Sequence, residues 1–199
     1  MTLHSRTDLE LWGAAVAGDE QAFGELFARH GRVVYNFCFR RTADWSAAED
    51  LASVVFLETW RRREHVRLEG GSLLPWLYGV ATNVLRNHQR SLRRYGAVLA
   101  RVPEPVAPEE DADLVAARLD DQRRMREVLD RIAHLPRRDR ELLALCVWEG
   151  LTYTEAAAAL GIPVGTVRSR LSRIRAGLKE PPPLPGHRRR NNALREELS

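Results

Sequence analysis

Residues 161–178 read GIPVGTVRSRLSRIRAGL. The stretch holds four arginines and no acidic residue, and an apolar residue recurs at Val164, Val167, Leu171, Ile174 and Leu178. At about 100° per residue these five positions line one edge of a helix. The other side presents Thr166, Ser169, Ser172 and Arg173, flanked by Arg168 and Arg170. Just upstream, Thr152-Tyr-Thr-Glu155 has the form of a capping box before a small helix over 156–160. Gly161 suits a sharp turn, Pro163 presets the first turn of the next helix, and Val167 falls ten residues after Ala157. That is the layout of a helix-turn-helix. The exposed groups match a DNA major groove, because arginine grips guanine O6 and N7 with two hydrogen bonds while hydroxyls reach phosphates or base edges. A helix that carries arginines only for solubility usually mixes signs and forms i,i+4 pairs.

Outward from this stretch the chain reads as all-α. Met125, Val128, Leu129 and Ile132 recur at helical spacing. Pro136 suits the first turn of a following helix, which runs through Leu142, Leu143 and Leu145 and stops before Gly150. Toward the N-terminus, 19–29 and 33–41 are periodic, and Ser46-Ala-Ala-Glu49 has capping-box form ahead of a helix to about residue 63. Along it Leu51, Val54, Val55 and Leu57 make a broad apolar face, with Phe56 and Trp60 alongside. A further helix starts near Pro75 and carries Trp76, Leu77, Val80, Ala81, Val84 and Leu85. No alternating strand pattern and no internal repeat is found.

Seven of the ten prolines fall within 103–108 and 181–185, where no helix can continue. The first cluster lies in an acidic stretch poor in large apolar groups, which reads as a solvated connector. The expected organisation is an N-terminal helical bundle over 1–95, a flexible acidic linker over 96–113, a C-terminal four-helix domain with the helix-turn-helix over 114–179, and a disordered tail over 180–199. The net charge of +4 is uneven: 75–95 holds Arg86, Arg90, Arg93 and Arg94 and no acid. On that helix Asn83 and Asn87 share a face beside Arg86 and Arg90, amide edges for bases next to guanidiniums for phosphates, a set that suits single-stranded DNA.

Cys38 and Cys146 form no CxxC and the six histidines lack ligand spacing, so neither a disulfide framework nor a metal site is expected. With no paired carboxylates, no nucleophile beside a base and no phosphate-binding glycine loop, the chain does not read as an enzyme, and no cofactor is implied. No apolar run reaches the roughly 20 residues of a membrane span, and nothing resembles a signal peptide, so a cytoplasmic location is expected.

In three blocks the chain resembles the sigma-70 family of bacterial transcription initiation factors, in its small extracytoplasmic-function (ECF) group. AEDLASVVFLETWRRR (48–63) resembles the polymerase-binding helix, PWLYGVATNVLRNHQRS (75–91) the promoter-reading helix of the first domain, and 135–178 the second half of the DNA-binding domain. The resemblance implies a factor that binds core RNA polymerase, reads two elements of promoter DNA and helps to open the duplex, and that an anti-sigma factor restrains. It implies that the Asp50, Leu51 and Phe56 region docks on the clamp of the largest polymerase subunit. Asn83, Arg86, Asn87 and Arg90 would contact the downstream (−10) element, with the loop 65–74 holding a flipped base. Thr166, Arg168, Ser169, Arg170, Ser172 and Arg173 would read the upstream (−35) element. Where many relatives carry a Gln-Glu pair, this chain has Ser53 and Val54.

Residues 96–115 extend to at most about 66 Å, while elements two duplex turns apart lie about 70 Å from each other. Docking on polymerase is therefore expected to fix the spacing, and the free chain to bind promoters poorly. The alternative reading is a dimeric helix-turn-helix repressor or activator that acts without polymerase, which predicts palindromic sites and tight binding alone.

Overall fold

The protein is described here by a computed structural model covering residues 6–68, 70–99 and 112–177. The prolines at 103–108, Leu178 and the tail expected at 180–199 lie outside the described residues. Among the described residues there is no strand. The α-helices are α1 (Asp8–Val16), α2 (Glu20–Thr42), α3 (Trp45–Arg62), α4 (Leu74–Leu99), α5 (Ala112–Arg131), α6 (Arg137–Leu143), α7 (Tyr153–Leu160) and α8 (Val164–Gly177). A 3₁₀ turn (Arg63–His65) follows α3, and a π turn (Ala144–Trp148) extends α6.

Local chemistry sets several boundaries differently from the periodicity. Helix α1 has no counterpart among the expected helices, although Thr7 and Glu10 form a full capping box at its start. The periodic stretches 19–29 and 33–41 are one helix, α2, capped by the Asp19 carboxylate accepting from the Gln21 and Ala22 N–H groups. The Ser46–Glu49 pair does not cap α3. Asp44 does, in extended backbone, accepting from the Ala47 N–H at 3.0 Å. The chain enters that geometry from Ala43, which closes α2 in the left-handed region at φ 52°. Further on, α4 runs to Leu99 and α5 begins at Ala112, so helices occupy both ends of the expected 96–113 linker.

Helices α1 to α4 bury one apolar core around Leu26, Phe37, Val55, Leu77 and Leu85. Helices α5 to α8 bury another around Met125, Ile132, Leu142, Val167 and Leu171. Full burial of each such side chain is worth about 1.5 to 3 kcal/mol. The two bundles also touch, and their buried apolar residues form a single connected cluster. Helix α4 crosses α7 at Gly79, where a Cβ would stand 2.7 Å from the Ala159 carbonyl oxygen. Only the missing side chain admits so close a crossing. Nothing in the periodicity indicated this contact.

Candidate nucleic-acid interface

The helix-turn-helix is built as its sequence indicates. Thr152 and Glu155 cap α7 reciprocally. Gly161 ends α7 in the left-handed region at φ 65°, where a side chain is strained, and its N–H returns to the helix. Val167, Leu171 and Ile174 are buried, Val164 is half-buried, and they fix the rotation of α8. Arg168, Ser169, Ser172 and Arg173 consequently face solvent, with Thr166 and Arg170 half-buried at the edges. Ser169 spends its hydroxyl on the Thr166 carbonyl at 3.2 Å. Among the described residues no acid pairs with Arg168, Arg170 or Arg173, so α8 presents uncompensated positive charge.

On α4 the four singled-out residues have different surroundings. Asn83, Asn87 and Arg90 are exposed. Arg86 is half-buried and held across the bundle contact, with Nε donating to Glu141 Oε1 at 2.8 Å and Nη2 to Glu141 Oε2 at 2.6 Å. The carboxylate raises the Arg86 pKa above its ordinary value, outweighing the effect of burial. Its Nη1 donates to Asn83 Oδ1 at 3.0 Å. Beside Asn83 lies a cleft of about 420 Å³ lined by Arg62, Arg67, Trp76, Asn83 and the end of α7. The loop expected to hold a base forms part of its wall. That loop is anchored from below: Asp8 accepts from the Leu73 N–H at 2.9 Å and from Arg29 Nη1 at 2.6 Å, and pairs with His30 Nε2 at 2.7 Å.

Helix α3 divides its residues between core and solvent. Of the three residues expected to dock on polymerase, Asp50 is exposed, but Leu51 and Phe56 are 6% and 4% exposed and serve the core. Leu51 faces the core, while Phe56 contributes to the floor of an open groove. The solvent side of the same helix shows Val54 and Leu57, 41% and 57% exposed, and Leu57 shares a groove with Phe27 of α2, itself 51% exposed. Phe27 stands edge-on to the buried Phe56 at 4.8 Å, and Phe23 lies 4.9 Å from Trp60, so the patch is a shallow aromatic-floored groove. Its signal was in the sequence: α3 has more apolar residues around its circumference than one core face can bury.

Cys38 is buried in the core and Cys146 is half-buried against it. Burial pushes the Cys38 thiol up to about 12 and the Cys146 thiol up to about 11, away from the thiolate form. No helix among the described residues is long and apolar enough to cross a membrane.

The family model described as "Sigma-70 region 2" matches residues 26–95, and "Sigma-70, region 4" matches 125–178. The chain is 32% identical over 163 residues to the RNA polymerase sigma factor HrpL of Pseudomonas syringae pv. syringae, covering 78% of this chain and 84% of that one. It is 33% identical over 171 residues to the ECF RNA polymerase sigma factor SigD of Mycobacterium bovis, covering 83% and 79%. The chain belongs to the sigma-70 family, in its ECF group. This sigma factor also matches a solved structure of CnrH in complex with the cytosolic domain of CnrY, with TM-score 0.62 and 26% identity over 86% of this chain and 94% of that one. The sigma factor's region 2 match takes in most of α2, all of α3 and α4 to residue 95, and its region 4 match takes in the last third of α5 through α8. It binds core RNA polymerase and directs transcription from promoters.

Proposed function

We propose a division of labour among three surfaces of this sigma factor. The groove lined by Phe23, Phe27, Phe56 and Leu57, on the helix that also exposes Asp50 and Val54, docks on core polymerase. Helix α8 reads the upstream (−35) element through Arg168 and Arg173, with Thr166, Ser169, Arg170 and Ser172 contacting phosphates or base edges. Helix α4 takes the downstream (−10) element after strand separation, using Asn83 and Asn87 for base edges and Arg86 and Arg90 for phosphates. The carrying observation is that one chain offers two acid-free basic helices, α4 and α8, in separate bundles, plus an exposed apolar groove between α2 and α3.

The chemistry of RNA synthesis belongs to the polymerase, and this chain contributes binding energy rather than a reaction of its own. Its place of work is the cytoplasm. The solved relative CnrH is held by the cytosolic domain of CnrY, and this factor is restrained in a similar way by an anti-sigma factor. Run-off transcription with core polymerase on a promoter library, with and without the chain, tests the assignment. Selective transcription from a promoter subset supports it; a transcript pattern that the chain leaves unchanged refutes it.

A further inference from the structure

Helix α1 lies ahead of residue 26, where the region 2 match begins. Two of its buried side chains reach the loop 66–73, between the 3₁₀ turn and α4. At the start of that loop the Trp12 indole N–H donates to the Val66 carbonyl at 3.3 Å. At its end the Asp8 carboxylate accepts from the Leu73 N–H at 2.9 Å and from the Ser72 hydroxyl at 3.4 Å. Ser72 Oγ in turn accepts from the Leu74 N–H at 3.2 Å, so the same carboxylate also steadies the first residue of α4. Asp8 and Trp12 stand at i and i+4 on one face of α1, about 6 Å apart along its axis. One helical turn thus holds both ends of the loop.

The holding groups are themselves fixed. Thr7 and Glu10 cap the turn of α1 that carries Asp8. Arg29 Nη1 reaches Asp8 Oδ1 at 2.6 Å and His30 Nε2 lies 2.7 Å from Oδ2, so both carboxylate oxygens are tied. The tip of the loop has no such support. Between the buried Val66 and Leu73, Arg67, Gly70 and Gly71 are exposed. Both glycines take left-handed backbone, at φ 82° and 78°, which makes a turn with little stiffness of its own. Arg67, Leu68 and Ser72 line the cleft that Trp76 and Asn83 also line. The Trp76 indole N–H is buried with no partner among the described residues, a donor left for an acceptor from outside the chain.

We propose that α1 is the brace of a base-reading loop, with Asp8 and Trp12 as positioning residues that fix its two ends and thereby set base preference in the downstream (−10) element. The inference rests on the reading of this loop and α4 as the surface that takes an unpaired base of that element. A glycine-turned loop that shifts to suit whichever base enters accepts all four about equally. Pinned at both ends, it presents one shape and one set of donors, and a wrong base leaves those donors unpaired. Bracing also removes the cost of ordering the loop from the binding step.

Two full-length variants in the polymerase holoenzyme test this. Asp8→Asn loosens the end of the loop. Trp12→Phe removes the indole N–H at its start while keeping an aromatic ring in the core, and carries the test where Asp8→Asn folds poorly. Leu26→Ala, which truncates a buried core residue of α2, is the control for lost stability alone. Barcoded transcription from two promoter libraries, one randomised in the downstream element and one in the upstream, reads base preference. Hydrogen exchange of the loop amides in the free chain reads the brace. A specific base contact discriminates by about tenfold or more, and both brace variants are expected to lower that to about twofold at one downstream position. Upstream preferences should stay intact, and loop amides should exchange about tenfold faster for each hydrogen bond lost. Leu26→Ala should lower transcript yield and keep both preferences. Unaltered downstream preference in both brace variants would overturn the proposal, and so would flattening of both elements together or equal flattening in Leu26→Ala. Arg67→Ala/Leu68→Ala then tells which idea has failed: if it changes downstream preference, the loop reads the element and only the brace is wrong, whereas if it too changes nothing, the reading of the loop has failed.

Discussion

Asp8 shows how much one buried carboxylate can organise. It sits in the first turn of α1 and joins that helix to α2 through Arg29 and His30, and to the loop before α4 through the Leu73 N–H. Burial alone would raise its pKa, but the Leu73 N–H, Arg29 and His30 together hold it below the ordinary 3.8. A carboxylate lowered in this way stabilises the fold fully above pH 3.8, and that contribution fades as pH falls through its lower folded-state value. Asp8→Asn leaves Arg29 and His30 facing an amide and should cost about 3 kcal/mol. Urea denaturation at pH 7 measures the loss, and the gap between variant and natural protein should narrow below pH 3.8. A constant gap down to pH 2 would contradict the ionised-carboxylate account.

At the scale of elements, each helix divides its residues between core and partner by rotation alone. On α8, buried Val167, Leu171 and Ile174 leave Arg173 outward. Arg173→Ala should cost about 1 to 3 kcal/mol of upstream-element binding and relax base preference there. Competition between promoter variants for the holoenzyme checks this, and an unaltered preference order would remove Arg173 from the groove. On α3, Leu57 is more than half exposed, so Leu57→Asp should leave the melting temperature within about 2 °C while abolishing co-purification with core polymerase. Retained co-purification would place the docking surface elsewhere. Conversely, Phe56→Ala removes a buried ring and should destabilise the fold by about 3 to 5 kcal/mol.

For the molecule as a whole, the contact between bundles changes what the free chain can do. With α4 against α7, the two faces proposed to read DNA cannot span two elements about 70 Å apart. A duplex promoter should therefore bind the free chain at least about tenfold more weakly than the holoenzyme does, as measured by filter binding at fixed salt. Equal affinity for the free chain, with a symmetric dimer on the DNA, would favour the helix-turn-helix regulator instead.

Much of this was legible in the sequence because it is local. The capping box at Thr152, the glycine at 161 and the stripe from Val164 to Ile174 fix the helix-turn-helix within about 25 residues, where helical geometry alone relates position to face. The family followed from such blocks. Rotation and contact were less legible, since apolar residues all round α3 do not say which of Phe56 and Leu57 meets the core until α2 lies against it. The seat of Ala159 over Gly79, and the pairing of Arg40 with Glu149 and Arg86 with Glu141, join positions 55 to 109 residues apart. No periodicity encodes them. Sequence alone determined the all-helical class, the helix-turn-helix and the chemistry of the polar faces; only tertiary structure decided which faces remain exposed, because burial belongs to pairs of surfaces and not to a single one.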